Sequence, residues 1–108
     1  MPKFITIGYG DRAGYDQTEE AVRDRAHAAD ARLAASGAII GQATPPVQVR
    51  NHHGVKVEIS EGPYLQSGLP VAGFAVIEAE DVEEAIAIAS ESPCAVAQGV
   101  VEVWLLKE

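Results

Sequence analysis

Three segments of this chain, Phe4 to Tyr9, Gly73 to Ala79 and Val100 to Leu106, are rich in β-branched and aromatic residues, and none alternates apolar with polar. Successive side chains of a strand point to opposite faces, so these strands carry apolar residues on both. Phe4 stands opposite Ile5 and Ile7, Phe74 and Val76 opposite Ala75 and Ile77, and Val101, Val103 and Leu105 opposite Trp104 and Leu106. A sheet with helices on one side only normally alternates, because its open face meets water. Two helices are all that the remaining sequence offers, and they cover one face. The other face is then an apolar patch larger than soluble monomers usually expose. A second copy of the chain is the simplest cover, pairing sheet to sheet as a homodimer and enclosing clefts at the rim in which a small molecule can sit. The alternative is a monomer with a lipophilic ligand on that face.

The remaining elements follow from local signals. Asp16-Gln17-Thr18-Glu19 has the spacing of a capping box and predicts a helix start. Val22, Ala26, Ala29 and Leu33 form one apolar stripe, and Gly37 stands where a left-handed cap ends a helix, so this helix runs to about Ser36. Ala38 to Ala43 predicts a strand, closed by Pro45-Pro46. Val47 to Arg50 and Val55 to Ile59 flank Asn51-His52-His53-Gly54 as a hairpin. Glu61 to Val71, with Gly62-Pro63 and Gly68-Leu69-Pro70, reads as a loop long enough to suspect a function. Asp81 caps a second helix that turns Val82, Ala85, Ile86 and Ala89 inward until Pro93 stops it. Helical crossovers alternating with hairpins give an α+β fold, a ferredoxin-like split βαβ with an antiparallel sheet, in a single domain over residues 1–108.

Composition narrows the function classes. Eight Lys and Arg against sixteen Asp and Glu give a net charge of −8, which repels nucleic acid and anionic lipid. No apolar run approaches the roughly 20 residues that cross a bilayer, so no membrane partner is expected. The lone Cys94 forms no internal disulfide, and Met1-Pro2-Lys3-Phe4 has no signal-peptide layout, which points to the cytoplasm. Gly8-Tyr9-Gly10 and Gly68-Leu69-Pro70 lack the spacing that cradles a pyrophosphate, and no nucleotide or other cofactor is implied. Adjacent His52 and His53 point apart on an extended chain, no third ligand stands at useful spacing, and no metal site is implied. The acidic run Glu78 to Glu84 reads as carboxylates favouring a helix N-terminus.

Four residues carry candidate chemistry. His27 lies off the apolar stripe, with Arg23 four residues before it and Asp30 three after, charges that act in opposite senses on an imidazole suited to proton transfer. The competing reading is a solvated helix face. Glu61 and Tyr64 bracket Gly62-Pro63 at the head of the long loop; Tyr64 offers a ring face and a hydroxyl to a ligand, while turn formation alone also explains Glu-Gly-Pro. Arg50, at a strand end, can clamp a ligand carboxylate or pair with a surface acid. Cys94 has no evident base beside it and reads as a small apolar residue.

Taken together, Phe4 to Gly10, His27, Leu33 to Ile40, Ser60-Glu61-Gly62-Pro63-Tyr64, Gly73-Phe74 and Gly99 to Val103 resemble the YCII-related family over nearly the whole chain. Glu61-Gly62-Pro63-Tyr64 is similar to the Asp-Gly-Pro-Phe signature of its DGPF branch, with both ends conservatively changed. The resemblance implies a dimeric α/β-barrel. It also implies that some relatives act on small aromatic compounds, notably a dehydrochlorinase of chlorinated hydroquinones, with a helix histidine in the place of His27 as one of a catalytic pair. The family's Asp-Pro step is Ser92-Pro93 here, which removes an acid from that position; Glu61 is the candidate to supply it. Other DGPF proteins are encoded beside extracytoplasmic-function sigma factors, which implies a regulatory association. Two expectations follow: a non-catalytic dimeric module that is regulatory or binds a small ligand, or a cofactor-independent lyase or isomerase of an aromatic or enolic substrate with His27 as proton carrier.

Overall fold

The computed structural model describes residues 1–108. In chain order the elements are β1 (Lys3–Tyr9), α1 (Arg12–Gln17), α2 (Glu20–Ala35), β2 (Ile39–Gln42), β3 (Val47–Arg50), β4 (Glu58–Glu61), β5 (Val71–Glu78), α3 (Val82–Ser90), α4 (Pro93–Val96) and β6 (Val100–Leu105). Four strands form one sheet in the order β2-β5-β1-β6, every neighbouring pair antiparallel. β5 lies between β1 and β2, and β6 flanks β1 on the far side, so each helical crossover skips a strand, as a ferredoxin-like split βαβ requires. β3 and β4 pair only with each other, as a separate two-stranded sheet.

Register decides which side chains meet the helices. Phe4 pairs with Ile77 and Leu105, Thr6 with Ala75 and Val103, and Gly8 with Gly73 and Val101. This row forms the covered face, where Phe4 and Ile77 are each 1% exposed and pack with Ala79 and Ala85. The opposite row pairs Ile5 with Val76 and Trp104, Ile7 with Phe74 and Glu102, and Ile39 with Val76. No element covers it. Ile39 is 71% exposed, Trp104 56% and Phe74 50%. Only 12 of 108 residues are buried, although 47% are hydrophobic, so most of the apolar surface is not enclosed within one chain.

The helices depart from the sequence expectation in three places. Asp16 opens no helix: Asp11 accepts from the Gly14 amide at 2.8 Å and starts α1, in which Asp16 pairs with Arg12 at 3.1 Å. Thr18 breaks that helix in extended backbone, its hydroxyl donating back to the Gly14 carbonyl at 2.9 Å, and α2 begins without a side-chain cap. Pro93 does not stop the helix before it. α3 ends at Ser90, and Pro93 instead opens α4, where its missing amide costs no hydrogen bond. Val82 and Ile86 face water, and Ala85, Ile88 and Ala89 are the inward residues of α3.

Elsewhere the local signals hold. Ala26 is buried and Val22, Ala29 and Leu33 are partly buried on α2, which ends before Gly37 at φ 108°. Asp81 caps α3, accepting from the Glu84 amide at 2.8 Å. The hairpin is looser than expected: a short 3-10 turn over 52–54, with His53 at φ 60°, delays β4 until Glu58, leaving Val55 and Val57 exposed.

Candidate functional site

The end of β1 carries a cluster of polar residues on each face. On the covered side Gly8 leaves space for α4: a Cβ there would lie 2.9 Å from the Cys94 Sγ. Gly99 allows the chain to turn from α4 into β6, since a Cβ would fall 2.1 Å from the Tyr9 carbonyl oxygen and 2.6 Å from that of Cys94. The Cys94 thiol is held above its usual pKa, first by burial and then by the nearby Asp30 carboxylate. A nucleophilic thiolate is therefore disfavoured there. Asp30 is itself pushed up by burial, against which His27 acts in the opposite sense. His27 and Asp30 stand one turn apart on α2, and Cys94 lies on α4, which packs against it.

α1, the helix that sequence reasoning missed, brings Tyr15 to this cluster. Its hydroxyl lies 2.9 Å from the His27 Nε2, and the two rings are tilted at 54°. The Arg23 guanidinium stands over the Tyr15 ring, 4.7 Å from its centroid, and its Nε is buried without a hydrogen-bond partner. The arrangement offers an exposed imidazole bonded to a phenol, a cation behind it and a carboxyl one turn away, which is chemistry for moving a proton.

On the open face, Tyr9 and Glu102 are diagonal cross-strand neighbours, since Tyr9 pairs with Val100. The Tyr9 hydroxyl donates to Glu102 Oε1 at 2.6 Å. That bond raises the Tyr9 pKa, with burial and the Glu102 charge acting in the same direction. Beside the pair lies a cleft of about 380 Å³, walled by Leu65 to Leu69 of the long loop and floored by Tyr9, Val100 and Glu102. The loop begins at Gly62, whose amide donates to the Pro46 carbonyl at 3.0 Å and whose carbonyl accepts from Gln48. It closes where the Gly10 amide donates to the Pro70 carbonyl at 3.1 Å, next to Tyr9. Within it, the Ser67 hydroxyl donates to the Leu69 carbonyl.

Of the residues singled out in the sequence, Arg50 and Tyr64 are brought together. The guanidinium lies 5.9 Å from the centre of the Tyr64 ring and donates to Gln48 Oε1 at 2.8 Å. Arg50 thus bonds an amide and an aromatic face, and no surface acid pairs with it. Glu61 ends β4 opposite Val47, exposed and on the separate hairpin, while the hydrogen-bond partner of His27 is Tyr15. Tyr9 and Glu102 escaped sequence reasoning because 93 residues separate them and each reads simply as a strand residue. The one legible sign was an acid inside an otherwise apolar strand, Val100 to Leu105.

Residues 3–108 match the model of the YCII-related domain family, which accounts for every strand and helix described above. The chain belongs to the YCII-related family. Comparison with curated proteins returns no significant match. No helix of this YCII-related domain is long and apolar enough to cross a membrane.

Proposed function

We propose that this YCII-related chain works in the cytoplasm as a homodimer, two copies pairing through the open faces of their four-stranded sheets, and holds a small ligand in the rim cleft beneath the 62–70 loop. Its role on this reading is regulatory or ligand-sensing, and the likeness of Glu61-Gly62-Pro63-Tyr64 to the Asp-Gly-Pro-Phe signature supports assigning it to the DGPF branch. The observation that carries the reading is the uncovered row Ile39, Phe74, Val100 and Trp104, each at least half exposed, on a chain with few buried residues. Burying such a patch is the main source of free energy in association. Light scattering at several concentrations tests it: a mass near twice 11.4 kDa supports sheet pairing, and a monomer throughout removes it.

The Tyr15–His27 hydrogen bond favours a second reading, a cofactor-independent lyase or isomerase of a small aromatic or enolic substrate. His27 carries the proton, Tyr15 orients the ring, and Asp30 is the nearby carboxyl; Glu61, on the hairpin, would have to be brought to it. Tyr64 and Arg50 then offer a ring face and a cation to ligand at the loop. Enolic and aromatic compounds screened for turnover with wild type and His27→Ala decide this reading, which fails if both turn over a substrate equally.

A further inference from the structure

The rim cleft has a sign. Its walls are mostly apolar or neutral, and its one ionisable pair is Tyr9 with Glu102. Tyr9 is 6% exposed and occupies Oε1 of the carboxylate, which fixes that group in place and leaves Oε2 for another partner. No cation of the chain supplies one, since the only ion pairs are Arg12–Asp16 and Arg32–Glu91. An oxygen of a carboxylate that no cation of the chain reaches is a ready acceptor for a charged donor from outside. The net charge of −8 attracts cations to the protein and repels anions.

We infer that the Tyr9–Glu102 pair is the polar anchor of the cleft, and that its ligand is a small organic cation, a primary amine on an apolar or single-ring body. The ammonium meets the free oxygen of Glu102 in a charge-assisted hydrogen bond. Leu65, Leu69 and Val100 take the body. A cleft of about 380 Å³ is at the small end of ligand sites, in keeping with one ring rather than a nucleotide. The inference rests on the small-ligand reading of the cleft and adds the class of ligand.

The test uses three single-ring probes that differ in their head group, benzylamine, benzyl alcohol and benzoate, titrated into the full chain with backbone amides followed by NMR. Benzylamine is expected to shift the amides of Tyr9, Leu69 and Val100 and to bind about ten-fold more tightly than benzyl alcohol, the margin of a charge-assisted hydrogen bond. Benzoate should not bind. Glu102→Gln keeps the size and the acceptor for Tyr9, and should remove the preference for the amine. Should benzyl alcohol shift the same amides as well as benzylamine, the cationic class is overturned and the cleft reading stands. Retention of the amine preference in Glu102→Gln overturns the anchor. If none of the three probes shifts the cleft residues, the ligand class and the cleft reading fall together, while the dimer is decided separately by its mass.

Discussion

The two faces of the four-stranded sheet are built from similar residues and have opposite fates. Phe4 and Ile77 on one face are shut under α2 and α3, whereas Phe74 and Trp104 on the other are half exposed or more. Neither hydrophobicity nor β propensity distinguishes the two rows. What differs is cover: both long crossovers pack on the same side, as right-handed split βαβ units must. Burial is thus a property of the assembly of elements, and a row of apolar side chains with no element above it is surface until something else arrives.

The comparison can be broken by mutating one face at a time. Phe4→Ala on the covered face should cost about 3–5 kcal/mol in urea unfolding, the usual price of emptying a large aromatic site. A loss below 1 kcal/mol would show that the covered face is no core. Trp104→Asp on the open face should leave the fold of the protomer intact by circular dichroism. If two copies pair there, it should weaken the dimer by about 2 kcal/mol or more, a thirty-fold change in dissociation constant. A dimer of unchanged mass and affinity would place the interface elsewhere.

Smaller effects sharpen the contrast within the helical layer. Asp81→Ala removes the cap of α3 and should cost about 1 kcal/mol, while Asp16→Ala, on an exposed ion pair, should change stability by less than about 0.5 kcal/mol. Equal effects would mean that the observed caps do not govern these helices. The smallest change belongs to Asp30, whose folded pKa is raised by burial above the ordinary 3.8. A raised carboxyl disfavours folding once ionised, so its contribution is intact below the unfolded value and is lost as pH rises through the folded one. Asp30→Asn should therefore raise Tm slightly at pH 7 and leave it unchanged near pH 3. A variant less stable at pH 7 would show that the carboxylate is instead held by favourable partners.

Much of the fold was legible in the sequence because its cues are local. The stripe on α2, Gly37 after it, the cap at Asp81 and the 62–70 loop lie where residue spacing puts them. The errors in the helices were also local. Asp16 has the spacing of a capping box, yet it is Asp11 that accepts from the Gly14 amide and starts a helix. Pro93 suits both the end of one helix and the first turn of the next. The candidate site was less legible. His27, Arg50 and Tyr64 could be named, but their partners Tyr15 and Gln48, and the whole Tyr9–Glu102 pair, depend on which segments meet.

The sequence by itself determined the order of the strands and of the two longer helices, the apolar character of both sheet faces, the acidic charge and the family, all of which follow from residue type and spacing. Tertiary structure alone decided which face is covered, that β3 and β4 form their own sheet, and that a tyrosine and a glutamate 93 residues apart share a hydrogen bond. The reason is physical: periodicity and capping act over one turn or one strand. Pairing order and crossover handedness act between segments, and no local pattern records them.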